Sequence, residues 1–239
     1  MAQPSGQFVQ SLARGLEVIR AFDGESPRLT LSEVAARTGL SRATARRFLL
    51  TLNELGYVAS DGRDFRLTPR VLQLGFSYLS GLTLPELAQP HLEELSRRLN
   101  ESTSASVLDG DAIVYVARVP TRRIMNAAIT IGTRFPAEIT SMGRVLLAAQ
   151  PESQWPDARR AVLERVRSQG WSLVDQELEV GLRSIAAPIH DANGAVIAAI
   201  NVSTTTATST LERITEEFLP ALLVAAAAID EAIAHTRPA

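Results

Sequence analysis

Along the first seventy residues the apolar positions recur at helical spacing. Val9, Leu12, Leu16 and Ile19 fall on one stripe at about 100° per residue, which predicts a helix over residues 8–22 with Phe8 and Val18 outside the stripe, suited to a contact with a second copy or, equally, to a place as third helix in the small unit's own core. Leu31, Val34, Ala35 and Leu40 make the next stripe, with Ser32 and Glu33 as its polar start. Gly39 stops that helix because glycine takes positive φ at no steric cost. Ser41 then caps another helix, its side-chain oxygen meeting an otherwise orphan N–H. In it Ala45, Phe48, Leu49, Leu52 and Leu55 form the buried stripe, and Gly56 ends it. Residues 57–60 and 63–67 alternate around Asp61-Gly62, the signature of a two-stranded hairpin with a type I′ turn. Thr68-Pro69 opens a connector helix over residues 70–80, closed by Gly81, since proline at the first helical position loses no hydrogen bond. A stiff connector of this kind can pass on a change of orientation.

Beyond residue 83 the pattern becomes mixed. A helix runs from residue 84 to 100 with Leu87, Leu92, Leu95 and Leu99 inward and Pro90 bending it early. Strands are predicted at 103–108, 112–119 and 124–131, followed by a loop at 132–138 and helices at 141–149 and 157–168, the latter closed by Gly170. Strands at 183–189 and 196–202 form a hairpin. A last helix over 211–235 carries Ile214, Phe218, Leu222, Ala225 and Ile229 on one face. Hairpins flanked by helices predict an α+β fold with a largely antiparallel sheet. The division expected is residues 8–68, a linker helix at 69–82, and residues 83–236.

Composition changes the picture in three places. The 239 residues are 46% hydrophobic and 21% charged, the proportions of a folded globular protein. The net charge of -2 hides a division: ten arginines face seven acids over residues 1–80, fourteen face nineteen beyond. Positive charge thus gathers on the amino-terminal part. Cysteine is absent and every basic residue is arginine, which excludes a disulfide framework, a thiolate nucleophile, a Cys-ligated metal, a Schiff-base lysine and a Walker-A loop. The amino terminus has no apolar signal region, and the apolar run at 218–229 is too short to span a bilayer before Asp230-Glu231. A cytoplasmic protein without a membrane partner is expected. The histidines, His91, His190 and His235, share no metal-ligand spacing, and no cofactor or metal is expected.

Helix, glycine turn, capped helix and basic hairpin, in that order, are the parts that lay one helix in the major groove of duplex DNA with a wing beside it. Ala43 and Arg47 point away from the buried stripe, with Thr44 and Arg46 on its flanks. Together with Ser41 and Arg42 at the helix start they can meet base edges and phosphates, because the arginine fork pairs bidentately with guanine or phosphate. Arg63 and Arg66 on the hairpin suit backbone phosphates or a minor groove. The competing reading is a helical subdomain with a solvated arginine face; turn, cap, outward arginines and wing together favour DNA.

A second informative stretch is RIMNAAITIGTRFPAEITSMGRVLLAA, residues 123–149. It leads through a Gly/Pro loop into a helix starting at Ser141, Met142, Gly143 and Arg144. Free N–H groups and partial positive charge at a helix start suit a carboxylate. Arg134 and Arg144 can pair with an anion, while Met125, Phe135 and Met142 can supply apolar walls. Equally, Ser141 serves as a plain cap and the arginines as surface residues. Ser184, Asn201 and Ser203 interrupt apolar strands and need partners, either a ligand or ordinary sheet hydrogen bonds. Asp175 caps a turn or faces the same ligand.

Four motifs carry a resemblance. SLARGLEVI at residues 11–19, LTLSEVAARTGLSRATARRFLLTLNELGYV at 29–58, LTPRVLQLG at 67–75 and DQELEVGLRSIAAPI at 175–189 together resemble the IclR (isocitrate lyase regulator) family of transcription regulators. The 123–148 tract further resembles its branch of protocatechuate, 4-hydroxybenzoate and β-ketoadipate regulators. The resemblance implies an N-terminal winged helix-turn-helix, a helical linker and a C-terminal GAF-like effector-binding domain. It also implies homodimers that pair into tetramers, a double-stranded operator beside catabolic genes, and a small carboxylate effector. Carried over residue by residue, the effector contacts fall at Ser141, Met142 and Gly143, near Asp175, and at Ser184 and Ser203. Many relatives have a small residue where Met142 stands and cysteine where Ser184 stands. Both departures change pocket size and polarity, and they point to an aromatic or longer acid rather than glyoxylate.

The expected function is therefore an effector-controlled transcriptional regulator of a catabolic operon, not an enzyme, in the aromatic-acid or β-ketoadipate pathway. Two other classes remain: a GAF-like enzyme fused to a DNA-binding module, and an architectural DNA binder with no effector.

Overall fold

A computed structural model describes residues 8–74, 84–121 and 129–236. The chain divides into two compact units between Gly81 and Leu82.

In the first unit α1 (Gln10–Arg20) precedes β1 (Leu29–Thr30), α2 (Leu31–Thr38), α3 (Arg42–Glu54), β2 (Val58–Ser60) and β3 (Asp64–Leu67). The helix starts are set by side chains. Thr30, not Ser32, caps α2 in a reciprocal capping box with Glu33, while Ser41 Oγ accepts from Thr44 N at the start of α3. Gly39 sits at φ 65° between the two helices. Val34, Ala35, Ala45, Leu49 and Leu52 form the core with Val18, Phe22, Leu29 and Val58.

Four expectations are corrected here. The stripe on α1 divides: Ile19 packs against the core, Val9, Leu12 and Leu16 lie outward, Leu12 at 64%, and Val18, expected outside the stripe, is 0% exposed. Val18 reaches the core together with Ala21 and Phe22 at the helix end, a direction that spacing alone did not fix. Leu55 is also exposed, because it stands at the C-cap after the last full turn of α3. The wing has three strands in the order β1-β3-β2, since Leu29 pairs with Phe65 and Val58 with Leu67. Its turn is not type I′. Gly62 has φ 97° but Arg63 lacks the positive φ which that turn needs at both central positions. The Asp61 carboxylate, accepting from Arg63 N and Asp64 N, closes the loop instead.

After the hairpin Thr68 caps a short 3-10 turn at Pro69–Val71. The remainder of the predicted connector, from residue 75 on, lies outside the described residues.

The second unit is one six-stranded antiparallel sheet in the order β6-β5-β4-β9-β8-β7, with helices on both faces. Its elements are α4 (Leu84–Leu99), β4 (Ser102–Asp109), β5 (Ala112–Val119), β6 (Arg134–Pro136), α5 (Ser141–Ala148), α6 (Arg160–Gln169), β7 (Ser172–Asp175), β8 (Leu182–His190), β9 (Val196–Thr205) and α7 (Leu219–Thr236). A helical turn at Leu211–Arg213 and a π-helical segment at Ile214–Phe218 lead into α7. Period-two alternation divides each strand between two cores. Ile185, Ile189, Ile200 and Val202 pack under α4 and α7, against Leu92, Leu95, Phe218 and Leu222. Ala186 and Ala199 face α5 and α6, against Met142, Val145, Leu163 and Val166.

Two sheet edges differ from expectation. Residues 122–128, most of the predicted strand 124–131, lie outside the described residues; the edge strand is β6, inside the expected loop. Ser172–Asp175 is a strand rather than a turn, paired with β8. The final helix has the bounds expected of it. Residues Leu211–His235 form 25 helical residues, long and apolar enough to cross a membrane by length and composition. Ile214, Phe218, Leu222 and Ile229 are nevertheless fully buried against the sheet, as in a core helix.

Candidate functional site

On the first unit, α3 presents one continuous polar surface. Ser41, Arg42, Ala43, Arg46 and Arg47 are exposed and Thr44 is half-buried. Arg63 and Arg66 are exposed on the wing. Among the described residues none of these five arginines has an ion-pair partner, whereas Arg28 pairs with Asp61 and Arg37 with Asp23. Unpaired guanidinium groups on a capped helix and an adjacent wing are chemically ready for phosphate oxygens and guanine edges.

On the second unit a cavity opens between the start of α5 and the sheet, with about 520 Å³ of empty space, part of it reaching solvent. Strand register lays out its polar floor. Arg118 pairs with Ser104, and Ser104 with Asn201, so these three share one face across β5, β4 and β9. Ser184 and Ser203 pair next to them. The hydroxyls and amide are joined: Asn201 Nδ2 donates to Ser184 Oγ at 2.9 Å and Ser203 Oγ at 3.0 Å, and Ser141 Oγ on the helix lies 2.7 Å from Ser184 Oγ. Asn201 is 3% exposed, and its Oδ1 is buried with no hydrogen-bond partner. A buried carbonyl oxygen without a donor costs stability and marks a place for an O–H or N–H.

The roof is the α5 N-terminus. Thr140 Oγ1 accepts from Gly143 N, and Thr140 N donates to the Ala137 carbonyl. Among the described residues the N–H groups of Ser141 and Met142 have no partner. Met142, Ile129, Ile139, Val174, Leu178, Leu182 and Tyr115 complete apolar walls. Burial pushes the Tyr115 phenol up to about 12, which keeps it neutral at physiological pH.

Of the sequence-derived effector residues, Ser141, Met142, Ser184, Asn201 and Ser203 line this cavity and are brought together. The others have different surroundings. Arg134 pairs with Asp109 at the sheet edge, and Phe135 packs edge-on against the Tyr115 ring at 5.9 Å. Arg144 is 4% exposed, donates to the Glu138 carbonyl, and is 2.5 Å from Glu177 Oε2. Glu177 is held below its usual carboxylate range, first by the hydrogen bond from Arg144. Asp175 pairs with Arg183 at 2.7 Å, which likewise lowers its pKa. Gly143 packs where a Cβ would run into the Ala137 carbonyl oxygen, so it sets the closeness of α5 to the preceding turn. Met125 lies outside the described residues. The sequence reading missed Arg118 and Tyr115, both inside an apolar strand.

A basic winged helix-turn-helix, followed by a unit with a polar-floored internal cavity, defines a ligand-responsive DNA-binding protein. The profile of the IclR helix-turn-helix domain matches residues 11–62, and that of the bacterial transcriptional regulator IclR C-terminal domain matches residues 76–158 and 155–231. The chain belongs to the IclR family of bacterial transcriptional regulators. It is 44% identical to the Pca regulon regulatory protein of Pseudomonas putida, over 91% of this chain and 82% of that one. It is 35% identical to the p-hydroxybenzoate hydroxylase transcriptional activator of Acinetobacter baylyi, over 90% and 88% respectively. A solved structure described as a transcriptional regulator from Rhodococcus sp. RHA1 superposes with a TM-score of 0.83 at 54% identity, covering 96% of this chain and all of its own.

Proposed function

We propose that this chain regulates transcription of genes for aromatic-acid catabolism, and that a small aromatic carboxylate held in the α5 cavity sets its activity on DNA. The observation that carries the reading is the cavity itself, apolar-walled, with open helix N–H groups above a floor of Ser184, Asn201 and Ser203. Its polarity fits a flat acid with a hydrogen-bonding substituent. Two relatives, the regulator of the Pca regulon and the activator of p-hydroxybenzoate hydroxylase, support the same pathway class.

In this reading Ser41, Arg42, Ala43, Thr44, Arg46 and Arg47 enter the major groove, and Arg63 and Arg66 hold phosphates beside it. The outward Val9, Leu12 and Leu16 of α1 bury against a second copy, which pairs two recognition helices for two half-sites. Ligand binding changes the spacing of those helices.

A thermal-shift panel on the full chain tests the effector, because a ligand that binds the native state raises the melting temperature by mass action. 4-Hydroxybenzoate, protocatechuate and β-ketoadipate are run against glyoxylate, with duplex selection to find the operator. A shift with an aromatic acid, together with altered operator affinity, is the expected result. Silence across the acids would instead support an effector-free DNA binder.

A further inference from the structure

We infer that Arg118 is the residue by which the cavity reads the charge of its ligand, selecting a carboxylate over a neutral compound of the same shape. The inference rests on the effector reading above and assigns it a residue.

Arg118 is the one charged side chain among the described residues lining the cavity. The arginines that sequence spacing favoured are already engaged, Arg134 with Asp109 and Arg144 with Glu177, and Arg183 at the same end of the sheet pairs with Asp175. Arg118 has neither an ion-pair nor a hydrogen-bond partner among the described residues. It is half-buried, and burial is the first cause lowering its pKa from the usual arginine range. An arginine keeps its proton through such a shift. A cation taken partly out of water and left without a counter-charge is unfavourable until an anion reaches it.

Register puts the guanidinium where a ligand can use it. Arg118, Ser104 and Asn201 form one row across three strands, which stand about 4.8 Å apart. The Ser141 hydroxyl, at the helix start, lies 2.7 Å from Ser184 Oγ, one strand further on. The cavity therefore has a charged pole at β5 and an uncharged hydrogen-bonding pole around Ser141, Ser184 and Asn201. A ligand with a carboxylate at one end and a hydroxyl at the other satisfies both. Its carboxylate takes the guanidinium bidentately, and its hydroxyl donates to the unpartnered Asn201 Oδ1.

The test is titration calorimetry of the full chain with 4-hydroxybenzoate and its neutral isostere 4-hydroxybenzamide. The wild type is expected to prefer the acid by roughly tenfold to a hundredfold, the range of a hydrogen bond to a charged group. Arg118→Gln should bring the two affinities together by lowering that for the acid while leaving that for the amide near the wild-type value. Arg118→Lys should lose acid affinity without changing that for the amide, since an ammonium does not reproduce the bidentate fork; it decides the question should the Gln variant not fold. An acid preference that survives Arg118→Gln, or acid affinity equal to wild type in Arg118→Lys, overturns the assignment of Arg118 and leaves the effector reading standing. If the wild type binds neither the acid nor any other aromatic acid of the panel, both readings fall.

Discussion

Tyr115 and Arg118 stand three residues apart on one strand and face the same cavity. Strict alternation would put them on opposite faces of the sheet. Tyr115 pairs with Ser106 and Ala117 with Ala105, so Val116 is an extra residue with no partner on β4. This β-bulge resets the alternation and turns Arg118 toward the roof helix. It is the local irregularity that gives the floor of the cavity its only charge among the described residues.

On the DNA side, Arg47→Ala should weaken operator binding by about 1–3 kcal/mol at fixed salt. Arg47 is exposed on α3, and its side chain makes no hydrogen bond or ion pair among the described residues, so the melting temperature should not move. An electrophoretic shift with operator DNA, read next to a melting curve, checks both. Unchanged affinity would remove Arg47 from the contact surface.

The outward face of α1 gives a contrast between neighbours. Leu12→Glu places a charge where the side chain is 64% exposed, so the monomer should stay folded while self-association is lost. Val18→Glu places the same charge at a fully buried position and should unfold the first unit. Sedimentation velocity and circular dichroism separate the two outcomes. A Leu12→Glu protein that sediments like the wild type would exclude this face from the interface.

Gly143 is required for packing. Gly143→Ala forces a Cβ against the backbone of Ala137 and the side chain of Thr140, where relief must come from moving backbone. Overpacking of this kind costs typically about 1–3 kcal/mol. Chemical denaturation should show the loss, and ligand affinity should fall as the α5 start shifts. Wild-type stability in this variant would contradict the close packing described.

Glu177 gives a pH signature. Its carboxyl is held below its ordinary value of 4.5 by Arg144 and Arg159, so its contribution is fully present above that value and disappears as pH falls through the lowered one. The group is 36% exposed, and solvent screening keeps this contribution to about 1 kcal/mol or less. Glu177→Gln should therefore be less stable than wild type at neutral pH, and the gap should close on acidification. Denaturation midpoints measured across the acid range test this; a gap that widens at low pH would reverse the assigned sign.

The chain's own residues announced much of this. Ser41 and Gly39 set the turn between α2 and α3 because capping and positive φ are properties of single residues. The exposed arginines of α3 followed from one helical period. The helix start at Ser141 was legible for the same reason, as were the polar interruptions Ser184, Asn201 and Ser203 within apolar strands. Local chemistry and short-range periodicity determine such features. Tertiary structure alone decided which partners they meet. Arg144 and Arg134 looked equally free in sequence, yet each has an acid brought to it from 33 and 25 residues away. On α1 the period was read correctly, but a period does not say which side the core is on, and Val18 with Ile19 faces it rather than Leu12 and Leu16. Arg118 was hidden entirely, because one unpaired residue in β5, visible only against β4, turns the strand's alternation over.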